Sequence, residues 1–326
     1  MPGNPLDGTK EGTMTRKIKA RAVSLLALLV MLLGGAVAVS ATPAVADSGT
    51  AAVVAGRGAV NTARLAVAAS LPRLDRAHTM KGTQAPKGRP GGFTVLSCPC
   101  YSYAGDRQTV ASDGFGLGGL SVEKPAGVST SSQHSLAELS VTDNLGNTIE
   151  LGWITDTVVC GLANSPCIFT FWWKNGVPQG YNNSFTPAVG CAPCAGASIS
   201  GAIGTTKQFG LQYITNANPA LNAWWASYNG AYIGAWLASL WTAPAFTRGA
   251  FNQTFGEVVD STASSCIDMF NGVLATAGGL GGKINSYTAV NPTGAGTLAA
   301  FATVPTKWNG VMATGISARA GGPGYC

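Results

Sequence analysis

The chain has 326 residues, with 20 Lys/Arg against 14 Asp/Glu for a formal net charge of +6, and only 10% of its residues are charged. That excess is confined to the first 93 residues; from Thr94 to Cys326 eight Lys/Arg face ten Asp/Glu, which removes the basic face a nucleic-acid binder needs. The same region holds one histidine, His134, and neither a G-x-S-x-G elbow nor a His-Glu-x-x-His, so serine, cysteine and common zinc hydrolases lose their usual parts.

Residues 1–46 read as a secretory signal peptide. Arg16, Lys17, Lys19 and Arg21 precede an apolar run over 22–39, and Ala44-Val45-Ala46 supplies a small-residue cleavage site before Asp47. Met14 offers a later start, and a retained membrane anchor is the alternative. Cleavage implies a secreted protein that is free of the membrane.

Residues 47–93 read as a basic pro-segment and linker, with seven Lys/Arg against Asp47 and Asp75. An Ala/Val-rich half (51–71) suits a helix. The stretch "GTQAPKGRPGG" suits an exposed, cleavable linker. Its charge opposes that of the following domain, so the segment is expected to lie across an acidic cleft as an inhibitor. A disordered spacer is the other reading.

From residue 94 to 326 the pattern is β. "SLAELSV", "NTIELGWI", "CIFTFWW", "FGLQYIT", "NAWWASY", "YIGAWLA", "NQTFGEVV" and "TLAAFATV" are short runs rich in β-branched and aromatic residues. Turn residues at 143–147, 174–180 and 216–219 separate some of them. No long amphipathic helix competes, so the fold class is all-β, an antiparallel two-sheet β-sandwich. All eight cysteines lie here, an even count that fits a disulfide framework behind a signal peptide. Cys160 with Cys167 and Cys191 with Cys194 are the expected local pairs. Cys191-Ala-Pro-Cys194 has redox-motif spacing but no βαβ pattern around it.

The remaining chemistry belongs to carboxylates. His134 in "STSSQHS" reads as a solvated loop residue, and "GGLGGKI" as a turn. Glu150 in "NTIELGWITD" and Glu257 in "TFGEVVD" sit inside apolar runs with glycine beside them, where a carboxylate is costly to bury without a use. Two such groups could act on a shared water, one as base and one as acid. Glu138 in "LAELSV" is a third candidate. Strict alternation puts Gln253 and Phe255 on the face of Glu257, and sends Trp153 away from Glu150 into the core.

"NTIELGW", "VGCAPC", "NAWWASYNGAYIGAWLASLW" and "TFGEVVD", in this order, resemble the neprosin family of glutamic peptidases over roughly residues 135–260. The resemblance implies an antiparallel, glutamic-peptidase or concanavalin-like β-sandwich and acid endopeptidase activity, typically after proline. It implies Glu150 and Glu257 as the catalytic pair, no cofactor and no metal, and a peptide or protein substrate. The chain departs from the family where Phe255 replaces the first glycine of Gly-Gly-Glu, and where Glu138 stands for a usual glutamine. Phe255, Gln253, Glu138 and Trp225 are therefore expected to contact substrate, with a narrowed pocket that also admits alanine. A monomer is expected. A two-carboxylate glycoside hydrolase, or a binding module using Trp172, Trp173, Trp224 and Trp225 as a platform, are the other readings.

Overall fold

A computed structural model describes residues 100–324, except 162–164, 243 and 261–265. The signal peptide and pro-segment expected over 1–93 lie outside the described residues, as do Cys98 and Cys326. Two antiparallel sheets account for most of what is described. The first contains β1 (Cys100–Ser112), β3 (His134–Thr142), β4 (Thr148–Asp156), β5 (Cys167–Lys174), β6 (Val177–Pro178), β11 (Gly249–Asp260) and β13 (Ala299–Ala302), in the order β13-β1-β11-β3-β4-β5-β6. The second contains β2 (Gly114–Ser121), β7 (Thr186–Pro187), β8 (Thr206–Ile214), β9 (Ala223–Tyr228), β10 (Ala231–Leu237), β12 (Gly282–Val290), β14 (Asn309–Thr314) and β15 (Ser317–Gly321), in the order β14-β15-β12-β2-β8-β9-β10-β7.

The core lies between the sheets, and strand alternation selects what enters it. Ala137, Leu139 and Val141 of β3, Ile149, Leu151 and Trp153 of β4, and Ile168 and Trp172 of β5 meet Phe115, Leu117, Phe209, Leu211 and Trp224 of the second sheet. Each large side chain removed from water contributes about 1.5–3 kcal/mol. Trp153 joins this core as its parity requires, and its indole N–H donates to the Ser121 carbonyl at 2.8 Å.

Side-chain alternation leaves the opposite face of the first sheet with Glu138, Ser140 and Glu150 among aromatic and aliphatic neighbours such as Phe171, Leu136 and Ile154, and turn chemistry fixes which residues it shows. Between β3 and β4, Asp143 Oδ1 accepts from the backbone N–H of Leu145 (2.8 Å) and Asn147 (2.9 Å), and Gly146 takes the left-handed conformation. The β5–β6 turn uses Asn175 and Gly176, both at positive φ. The Asn175 N–H donates to the Asn147 side chain at 2.9 Å, tying the two turns together. A one-residue slip of β4 would push Glu150 into the core and Leu151 out of it. These turns set the register that keeps Glu150 on the opposite face.

Both expected local disulfides are present. Cys160–Cys167 ties the turn after β4 to the first residue of β5, and Cys191–Cys194 closes a tight loop after β7.

Candidate active site

The pairing of β1, β11, β3, β4 and β5 arranges the opposite face in rows. One row runs Arg107, Gln253, Ser140, Glu150, Phe171. The next runs Gly105, Phe255, Glu138, Gly152, Phe169. A third runs Tyr103, Glu257, Leu136, Ile154, Cys167. Glu150, Glu138 and Glu257 therefore lie on one diagonal across β4, β3 and β11, with Glu138 in the middle. Each step on such a diagonal is about 7–8 Å between backbones. All three are buried, at 1%, 0% and 1% exposure.

Each end of the diagonal has a distinct hydrogen-bond partner. Trp173 Nε1 donates to Glu150 Oε1 at 2.9 Å. At the other end, His134 Nε2 lies 2.7 Å from Glu257 Oε1. His134 Nδ1 faces Asp156 Oδ2 at 3.9 Å, and the Tyr101 ring meets the imidazole edge-on at 6.4 Å. The expectation of a solvated loop histidine is thus overturned. His134 begins β3 opposite Asp156 and is 4% exposed, because the Ser-rich loop ends one residue earlier than its composition suggests.

Tyrosines complete the electrostatics. Burial pushes the Tyr103 hydroxyl well above its ordinary pKa, and the charge of Glu257 pushes it further, with Tyr101, Glu138 and Glu150 adding to the effect. Tyr181, after β6, is raised first by burial and then by Glu257 and Asp156. Both hydroxyls therefore stay protonated and can donate at any pH at which a carboxylate titrates.

Phe255 and Gln253 share the face of Glu257, as alternation predicts. Phe255 lies opposite both Gly105 and Glu138, edge-on to Tyr103 at 5.6 Å and tilted against Phe301 at 6.3 Å. Gly105 lets β1 and β11 approach closely here, since a Cβ there would meet the Phe255 Cα at 2.5 Å and the Thr254 carbonyl oxygen closer still.

Trp225 does not join them. Alternation along β9 sends Trp224 into the core and Trp225 to the far side of the second sheet, against Ala223, Ala235 and Tyr232. The expectation that Trp225 contacts substrate is corrected accordingly. The four tryptophans of the platform reading are also divided: Trp172 and Trp224 fill the core, and Trp173 serves Glu150.

The model of the Neprosin family matches residues 131–289, which span β3 to β12 and both ends of the carboxylate diagonal. This region is a neprosin domain. The neprosin resemblance set out above puts the family's two glutamates at Glu150 and Glu257, the two ends of that diagonal. Comparison with curated proteins gives no match. Among solved structures, Scytalido-glutamic peptidase bound to a peptide-based transition-state analogue is similar at 10% identity and a TM-score of 0.37, covering 68% of this chain and 98% of that one. SCP-B, a member of the Eqolisin family of peptidases in complex with the tripeptide Ala-Ile-His, is similar at 10% identity and a TM-score of 0.33, with the same coverage. A β-porphyranase from Bacteroides plebeius shares 11% identity at a TM-score of 0.22, covering 50% of this chain and 55% of that one. At these scores none of the three assigns a residue or a substrate to the neprosin domain.

Proposed function

We propose that the chain is a secreted, acid-active glutamic endopeptidase that cleaves after proline or a small residue. The observation that carries this reading is the buried diagonal of carboxylates whose two ends, Glu150 and Glu257, have different partners inside a neprosin domain. Buried like charges cannot all ionise, so such a set holds at least one proton in the acid range.

The reaction needs one glutamate of each kind. The ionised one takes a proton from water as the water oxygen bonds to the scissile carbonyl carbon. The protonated one gives its proton to the developing oxyanion. When the tetrahedral intermediate collapses, the C–N bond breaks and the amine nitrogen receives the proton taken from water. The hydroxyl proton returns to the donor glutamate as the new carboxylic acid forms. No covalent enzyme intermediate is required, and burial strengthens each of these interactions.

Synthesis as a zymogen fits the charge division along the sequence, with a basic segment before a slightly acidic domain. The test of the reading is a pair of digests at acid pH, one of denatured protein and one of polysaccharide. Peptide products alone support it; released sugars without peptides would replace it with a glycoside hydrolase.

A further inference from the structure

We infer that His134, held between Asp156 and Glu257, is a positioning residue that keeps Glu257 in the ionised, water-activating role and leaves Glu150 as the proton donor. The inference rests on the glutamic-peptidase reading and adds an assignment of roles within the pair.

The geometry gives the imidazole one short bond, to Glu257, and one fixed carboxylate nearby, Asp156. Asp156 Oδ1 accepts the backbone N–H groups of Val158 (2.6 Å) and Val159 (2.9 Å), which anchors its carboxylate in the turn after β4. Asp156 and His134 are direct cross-strand partners, so the imidazole is placed by the sheet itself. Its far nitrogen reaches diagonally to Glu257 at 2.7 Å, the length of a charge-assisted bond. Asp156 Oδ2 stands at 3.9 Å from the near nitrogen, an ion-pair separation and not a hydrogen bond, so the bond to Glu257 is the contact that fixes the ring.

The two ends of the diagonal are therefore unlike. Glu257 faces a ring that can carry a positive charge, whereas Glu150 accepts from a neutral indole. A neighbouring cation favours the charged form of a carboxylate far more than a neutral donor does. Glu257 stays available as a base in acid, where an unpaired glutamate would be protonated.

The groups around the histidine leave this asymmetry in place. On β1, Tyr101 and Tyr103 face it or its partner, and Tyr181 lies near Asp156 and Glu257. On β3 itself, Glu138 adds negative charge beside Glu257. Asp260, at the end of β11, takes the side-chain amide of Gln133 at 3.1 Å and feels Lys307. The other cations on this face are Lys307, drawn to Asp260, and Arg107, which lies in the row of Glu150 three strands away with its guanidinium over the Phe301 ring at 5.4 Å.

The test is the pH profile of kcat/KM for the full chain, activated in acid, in His134→Gln, Asp156→Asn and the double variant. Glutamine retains a donor but no charge, and asparagine can still cap the 156–159 turn. The inference predicts that H134Q moves the acid limb up by about one pH unit or more. It also predicts a kcat loss that is largest at low pH, with KM unchanged. D156N should shift the limb less, and should add nothing once His134 is gone. A loss equal at every pH, accompanied by a lower unfolding temperature, would reduce His134 to a structural part and overturn the inference. If H134Q does not fold, the D156N profile decides, an unmoved limb being the contrary result. Glu257→Gln serves as the control: activity surviving in that variant would sink the peptidase assignment itself, whatever His134 does.

Discussion

Trp173 donates its indole N–H to Glu150 although the two are not opposite each other; Phe171 is the direct partner of Glu150, and Trp173 leans back from the next pair. The bond links a large buried ring to one end of the carboxylate diagonal. Trp173→Phe keeps the ring and removes the donor. A hydrogen bond of this kind is worth about 0.5–1.5 kcal/mol to stability, more where it meets charge. Peptidase kcat/KM should fall by about tenfold while thermal unfolding changes little, a comparison made by assaying both on the same preparation. Unchanged turnover would show that the bond packs the strand and does not serve Glu150.

Glu138 occupies the middle of the diagonal, where the family resemblance puts glutamine. Glu138→Gln removes one like charge and preserves shape. The variant should stay active, and its activity should shift to lower pH because, with one like charge gone, the remaining carboxyl protons are held less tightly and are lost at lower pH. A pH series on a peptide substrate checks this. A loss of 100-fold or more would move Glu138 into the catalytic pair.

How much of this was legible in the sequence depends on what each residue needed. Glu150 and Glu257 stood out because a carboxylate inside β-branched, apolar surroundings is costly, and the alternation that put Gln253 and Phe255 beside Glu257 held through β11. Trp225 misled for the opposite reason. Period-2 alternation tells which residues share a face of one strand, but not which sheet that strand joins. His134 was hidden by its neighbours, since four of the six residues before it are Ser or Thr and the strand begins at the histidine. β1 and β2 were missed because "CYSYAGDRQTVAS" interrupts its apolar residues with glycine and two charges, and "GFGLGGLS" is half glycine and buried on both faces, which erases the alternation signal. The bond from Trp173 to Glu150 depends on a diagonal lean that no pattern encodes.

Asp106 lies between the sheets with no exposure, opposite Thr254 and near Tyr287. Burial raises its pKa well above the ordinary aspartate value, and the Thr254 backbone only partly offsets this. The folded state therefore binds a proton that the unfolded chain releases near pH 4. The stability associated with that proton is complete below the unfolded pKa and is lost as pH rises toward the folded one. Asp106→Asn should raise the unfolding temperature at pH 7 by a few degrees and leave it nearly unchanged near pH 3. Equal stabilisation at both values would contradict the linkage.

Phe255 forms a wall with Tyr103 and Phe301 beside Glu257 and Glu138. Proline has a fixed φ and no amide hydrogen, so an aromatic wall can select its ring at little ordering cost. Cleavage sites in a denatured-proteome digest at acid pH should be enriched in proline, and in small residues such as alanine, before the cut bond. Phe255→Leu should lower the proline enrichment several-fold without abolishing cleavage. An unchanged cleavage profile would place the wall elsewhere.

The central claim is that Glu150 and Glu257 act on one water as a base and acid pair. The direct measurement is kcat/KM on a peptide substrate at acid pH for Glu150→Gln and Glu257→Gln, with thermal unfolding of each variant as the check on folding. Glutamine keeps the size and much of the hydrogen bonding of the carboxyl group but cannot carry the proton. Acid–base groups of this kind supply about 10²–10⁴ in rate. Each single variant should lose at least about 100-fold while unfolding close to the parent temperature. Either variant turning over within tenfold of the parent enzyme would contradict the pair.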